Sequence, residues 1–191
     1  MSTELPIWFL ILLAIVALSR VGEVIYARGL SQKAAVRGEK PQKEANFISM
    51  VALHICFFVG ITLEVWWFTW AQPVWLLWLS VALFGMAFLL RIWTLKTLNV
   101  SWNVRIVKPP KIVTSGPYQY IRHPNYLVVI LEIASLPLMG GAYISAVFFT
   151  LWNAWVLALR IPKEEALLFE MPGYQSAFEN KNRIIPMKRK S

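Results

Sequence analysis

The chain has 191 residues, 58% of them hydrophobic and 15% charged, with a formal net charge of +9 and a mean hydropathy of +0.54. Soluble domains carry less apolar and more charged sequence, and several stretches here reach the roughly 20 apolar residues that cross a bilayer. The composition therefore excludes an ordinary soluble domain, and it assigns the basic excess to membrane loops before nucleic acid.

The first predicted span runs from Leu5 to Tyr26. No basic region or small-residue cleavage site marks it as a signal peptide, so it reads as a retained span. A polar, mostly basic loop, ARGLSQKAAVRGEKPQKEAN, follows. The second span covers Phe47 to Trp70 and contains the single cysteine, Cys56, which excludes an intramolecular disulfide. Gln72 and Pro73 make a turn into the third span, Val74 to Leu95. A long polar segment then leads to a short fourth span, Pro124 to Met139, and Gly140-Gly141 turns the chain into a fifth, Ala142 to Leu159. Pro162 is expected to start a new polar helix, followed by a Pro-Gly break, a second short helix and a Lys-Arg-Lys tail suited to anionic lipid. The fold class expected is all-α: a polytopic membrane bundle of about five transmembrane helices in one domain, 1–191. Three spans lie in 1–95, and a polar loop, a helical hairpin and C-terminal helices in 96–191.

With the N-terminus outside and the C-terminus cytoplasmic, all 19 Lys and Arg fall on the inner side, as the distribution of positive charge in membrane proteins requires. Trp66, Trp67, Trp70, Trp75 and Trp78 cluster at the outer turn as an interfacial belt. Transporters place polar residues deep in several spans. Here the mid-span ionisables are few, namely His54, Glu64 and Glu132, so chemistry is expected at the inner surface.

Two polar clusters meet on that face. In GPYQYIRHPNY, residues 116–126, Pro124 suits the first turn of the fourth span and places His123 at its N-cap. The free N–H groups there favour an anion, and Arg122 adds positive charge. Tyr118 and Tyr126 offer ring faces and hydroxyls. The competing reading is a set of interface anchors. In RIPKEEALLFE, residues 160–170, Arg160 and Glu164 are four apart and share a face only if the helix is unbroken between them. Such a pair fits a zwitterionic amino acid, the carboxylate taking an ammonium and the guanidinium a carboxylate. The competing reading is an interfacial amphipathic helix. His54 reads as a structural hydrogen-bonding residue. Glu132, costly at mid-span, reads as protonated or facing a cavity. No dinucleotide, phosphate-loop or zinc motif is present, and neither metal nor nucleic acid is expected as a partner.

Together, VTSGPYQYIRHPNY at 113–126, RIPKEEALL at 160–168 and the Tyr174-to-Pro186 stretch ending in RIIP resemble the isoprenylcysteine carboxyl methyltransferase family and its phospholipid-methyltransferase-like relatives. The 3–4 loop WNVRIVKPPKIV and the LEIASLPL span resemble a bacterial subgroup similar to alkylpyrone O-methyltransferases. The resemblance implies an enzyme that uses S-adenosyl-L-methionine and yields S-adenosyl-L-homocysteine, with the cofactor pocket formed by the inner loop and C-terminal helices. It implies cofactor contacts from Lys111, Ile112, Val113, Tyr118, His123, Pro124, Asn125, Tyr126 and Glu164, and a substrate contact from Arg160. A lipophilic or lipidated acceptor is expected, either a prenylcysteine carboxylate or a long-chain enol. An already ionised acceptor needs no general base, whereas an amine would pass a proton to Glu165. The chain departs from the family in a shortened EMPGY and in Phe178 where the family has tyrosine. The alternatives are a phospholipid N-methyltransferase and a non-catalytic scaffold or transporter subunit.

Overall fold

The computed structural model describes residues 7–39, 47–68 and 70–186; the Lys-Arg-Lys tail lies outside them. Its helices are α1 (Ile7–Val36), α2 (Phe47–Trp67), α3 (Val74–Leu98), α4 (Pro124–Met139), α5 (Tyr143–Phe169) and α6 (Tyr174–Phe178). Short 3-10 turns occupy Asn99–Ser101 and Gly116–Gln119, and the described residues contain no strand. Helices α1, α2, α5 and α3 with its following turn are long and apolar enough to cross a membrane, and α4 is a fifth, shorter apolar helix. At 1.5 Å per residue, the 16 residues of α4 reach about 24 Å, less than the hydrocarbon core of about 30 Å. The chain is an integral membrane helical bundle.

The bounds of α4 are those expected, because Pro124 fills the first helical position and the paired glycines release the chain at Gly140. Two helices outrun the sequence reading. Helix α1 continues ten residues beyond Tyr26 through a stretch rich in Ala, Leu, Gln, Lys and Arg, all strong helix formers. Ala27, Leu30 and Ala34 repeat on one face of this extension and are buried. Ala27 and Leu30 pack with Trp102 from the polar loop, so the segment expected as loop is an amphipathic helix end. Helix α5 runs on through Pro162, so the new helix expected there does not begin. A proline inside a helix forfeits one backbone bond at about 3 kcal/mol, but the continuity keeps Arg160 and Glu164 on one face.

The core joins α1, α2, α4 and α5 through Phe9, Leu13, Phe57, Ile61, Leu136 and Phe149 among others. Phe9 is fully buried against Gly140, where an added Cβ would stand 2.1 Å from its ring. The five outer tryptophans are 47–72% exposed on the molecular surface, as residues of an interfacial belt are.

Glu64 has a specific partner. Its two carboxylate oxygens accept the backbone N–H groups of Ile144 (2.8 Å) and Ser145 (2.7 Å), so α2 caps the start of α5. Glu64→Ala is expected to orphan both donors at about 2–3 kcal/mol, lowering the melting temperature in detergent by about 5 °C or more. Glu64→Gln, which keeps one acceptor oxygen, should lose roughly half of that; equal melting of all three proteins would remove the capping role.

Candidate active site

The segment between α3 and α4 folds back across one end of the bundle, anchored by buried Trp102, Ile106 and Ile121. Gly116 sits at φ +58°, and a Cβ there would stand 2.5 Å from the Thr97 hydroxyl. Only glycine lets this turn pass so close to the last turn of α3. The turn delivers Tyr118 and His123 to the start of α4.

A cavity of about 1090 Å³ opens beneath this segment. Lys111, Ile112, Val113, Tyr118, His123, Asn125, Tyr126, Arg160 and Glu164 all line it, whereas Pro124 is fully buried behind it and only shapes the helix start. The volume exceeds that of most single-ligand pockets, leaving room for two reactants. The loop, α4 and α5 give one polar wall; α1 and α2 give the other, where Val21, Val24, Val51 and Ile55 are apolar.

At the polar end, Tyr126 stands between two charges. Its hydroxyl donates to the Glu164 carboxylate and accepts a hydrogen bond from Arg160 Nε at 3.0 Å. Arg160 Nη1 lies 3.3 Å from the Met50 sulfur, and Nη2 donates to the Val104 carbonyl at 2.5 Å. An anion and a cation one helical turn apart on α5 thus face the same space, linked through a buried tyrosine. Burial, and after it the Glu164 carboxylate, push the Tyr118 phenol above its ordinary pKa, so it stays a neutral hydroxyl. Burial also raises Tyr174, with Glu165 and Glu164 adding to the effect. The Asn125 Oδ1 and the Tyr174 hydroxyl are sealed from solvent with no hydrogen-bond partner among the described residues. Buried polar atoms are seldom left unpaired, so two orphans on residues that line the cavity with Glu164 fit a polar ligand that supplies their partners.

Two expected roles fall differently. Arg122 does not stand free at the helix mouth: its Nε donates to the carbonyls of Phe178 (3.1 Å) and Lys181 (2.8 Å), and its Nη1 to Glu165 (3.3 Å). It clamps the stretch after α6, whose backbone also receives the N–H groups of Arg122 and His123 at Asn182 and Arg183. Glu165 is buried outside the cavity lining. It is engaged by Arg122, by His123 Nε2 at 3.2 Å and by Arg183 Nη2 at 2.6 Å. The proton-accepting task expected of it meets a carboxylate already occupied by two guanidiniums and an imidazole.

A second polar group lies deeper and was missed in the sequence. Arg91 on α3 grips Glu132 on α4 with two hydrogen bonds (2.8 and 2.5 Å) and reaches Glu23 on α1 at 2.9 Å. Arg20 pairs with Glu23 at 2.9 Å and stands 3.9 Å from Glu132. Glu132 is thus ion-paired, and neither lone nor a cavity residue; Arg20, Glu23 and Arg91 line the cavity. The available signal was two arginines and two glutamates in three apolar spans, Arg20 and Glu23, Arg91 and Glu132, with Arg20 and Glu23 three apart on one face.

The model of the "Isoprenylcysteine carboxyl methyltransferase (ICMT) family" matches residues 78–170, which takes in α3, the polar loop, α4 and α5. The chain is 34% identical over 165 residues to "Uncharacterized protein YpbQ" of Bacillus subtilis (strain 168), spanning 85% of this chain and 97% of that protein.

Proposed function

The chain belongs to the isoprenylcysteine carboxyl methyltransferase family, and from that premise we propose that it transfers a methyl group from S-adenosyl-L-methionine to an acidic oxygen on a lipophilic acceptor, a prenylcysteine-type carboxylate or a long-chain enol. The observation that carries this reading is the Glu164–Tyr126–Arg160 line on one wall of a cavity large enough for two molecules. When bound, the cofactor supplies a methyl group on a positively charged sulfur. Glu164 holds its ammonium, Asn125 and Tyr174 gain the partners they lack, and Tyr118 and Tyr126 present ring faces to a cation. His123 and Lys111 to Val113 close the same end. Arg160 holds the acceptor oxygen; positioning then supplies most of the rate. Glu165 is a positioning residue that ties α5 to His123 and to the stretch after α6.

The wall of α1 and α2 supports a lipid-borne acceptor. Val21 and Val24 on α1, and Val51 and Ile55 on α2, line the cavity and are also 39–61% exposed on the surface that faces lipid. An acceptor dissolved in the bilayer reaches Arg160 between these helices. The charge distribution supports a polar end on the cytoplasmic side, with the N-terminus outside. A phospholipid amine is the weaker acceptor, because its ammonium form is repelled by the Arg160 guanidinium that would hold an acidic oxygen.

The test is methyl transfer from label in the cofactor's methyl group into a lipid extract by the protein in nanodiscs, followed by alkaline treatment. Label in the lipid is the expected result. Release as methanol identifies an ester, and retention an ether or an amine. No label in any lipid overturns the proposal.

A further inference from the structure

An acceptor that arrives as a neutral hydroxyl must lose a proton, and no residue assigned so far takes it. Glu165 is occupied, and Glu164 is bound by Tyr126. Resting on the methyltransferase reading above, we propose that His54 is the proton acceptor of this site. His54 lies on α2, outside the segment the family model matches. Its Nδ1 stands 2.8 Å from the Met50 carbonyl. A carbonyl only accepts, so Nδ1 carries the hydrogen and the neutral ring presents its lone pair at Nε2. Nε2 has no partner among the described residues and is not sealed in protein, and the residue lines the cavity.

Met50 sets the ring's place relative to the reaction site. Its carbonyl holds His54 while its sulfur touches the Arg160 guanidinium at 3.3 Å. Met50 thus touches both the ring and the guanidinium, and His54 and Arg160 line one cavity. The charged groups near the ring are Arg20 of α1, Arg91 of α3 and Glu132 of α4. Glu23 completes that set, two positive and two negative charges bound to one another. From α5, Asn153, Arg160 and Glu164 also line the cavity, and the loop and α4 add Arg105, Lys111, Arg122, His123 and Tyr126. His54 is thus a single unpaired base beside a network that sums to zero.

In the step, the acceptor's O–H bond breaks and its proton passes to Nε2. The oxygen's electron pair forms the bond to the methyl carbon as the carbon–sulfur bond breaks, leaving a neutral thioether. The positive charge moves from sulfur to the imidazolium, which releases the proton to water through the inner opening. A carboxylate acceptor has no proton to lose and bypasses His54.

The discriminating experiment uses long-chain 4-alkylphenols carrying no substituent, chlorine or nitro groups, so that hydroxyl acidity rises along the series. For His54→Gln, kcat/KM on the least acidic phenol is expected to fall about a hundredfold or more, the usual contribution of a general base. The deficit should shrink toward none for phenols already ionised at the assay pH, with cofactor affinity unchanged. A deficit equal along the series makes His54 structural and overturns the proposal. The chain holds two histidines, His54 and His123, so imidazole nitrogen resonances provide a readout without turnover. The unsubstituted phenol added alone should shift the resonance that His54→Gln removes, and an unmoved signal counts against the proposal. Wild-type protein that methylates neither phenols nor carboxylates fails the methyltransferase reading instead, and this proposal falls with it.

Discussion

Glu164→Ala is expected to weaken S-adenosyl-L-methionine binding at least about a hundredfold, about 3 kcal/mol, while the protein still inserts and melts normally. The carboxylate is the only acidic group lining the polar end of the cavity among the described residues. Its removal deletes a charge-assisted hydrogen bond to the ammonium and leaves Arg160 to repel it. Glu164 is half-buried and bonded within the described residues only to Tyr126, so its loss leaves the core intact. Arg160→Ala should behave in the opposite way, sparing cofactor affinity and removing methyl transfer. Calorimetric titration of both variants in detergent separates the roles. Unchanged affinity in Glu164→Ala would move the ammonium site elsewhere, and retained turnover in Arg160→Ala would free that residue of its acceptor contact.

The second large effect concerns stability. Arg91→Leu strands Glu132 and much of Glu23 inside the bundle. Breaking one partner of a buried ion pair costs about 3–5 kcal/mol, or a melting temperature lower by about 10 °C for a chain of this size. Replacing both Arg91 and Glu132 with leucine should recover most of that loss, because apolar residues of similar volume substitute well for a buried pair. Glu23 remains paired with Arg20 in the double variant. If the single variant melts with the wild type, the charges do not brace α1 against α3 and α4.

The sequence was most readable where one residue decides the local backbone. Pro124 and the paired glycines bound α4 on their own, and Pro172 and Gly173 separate α5 from α6, Gly173 at φ +84°. It was least readable where distant segments decide. Hydropathy ends α1 at Tyr26, but Trp102, some 75 positions onward, supplies the surface that carries it to Val36. The same limit separates the two adjacent acids of the site. Glu164 and Glu165 are chemically alike, and 100° of helical rotation turns one into the cavity and the other toward Arg122, His123 and Arg183. Arg122 looked free because its partners are backbone carbonyls at 178 and 181, which carry no signature in the sequence.

The clamp of Arg122 on those carbonyls also fixes an order of events in biosynthesis. The stretch it holds follows every span along the chain, and its carbonyls at Asn182 and Arg183 satisfy the N–H groups just ahead of α4. A nascent chain with α1 to α4 already in the bilayer carries an unclosed pocket, with the donors of Arg122 and His123 exposed to water. On the proposed site assignment, ligand affinity is expected only after α5 has been inserted, and a chain stalled before residue 178 should carry spans without the closed pocket.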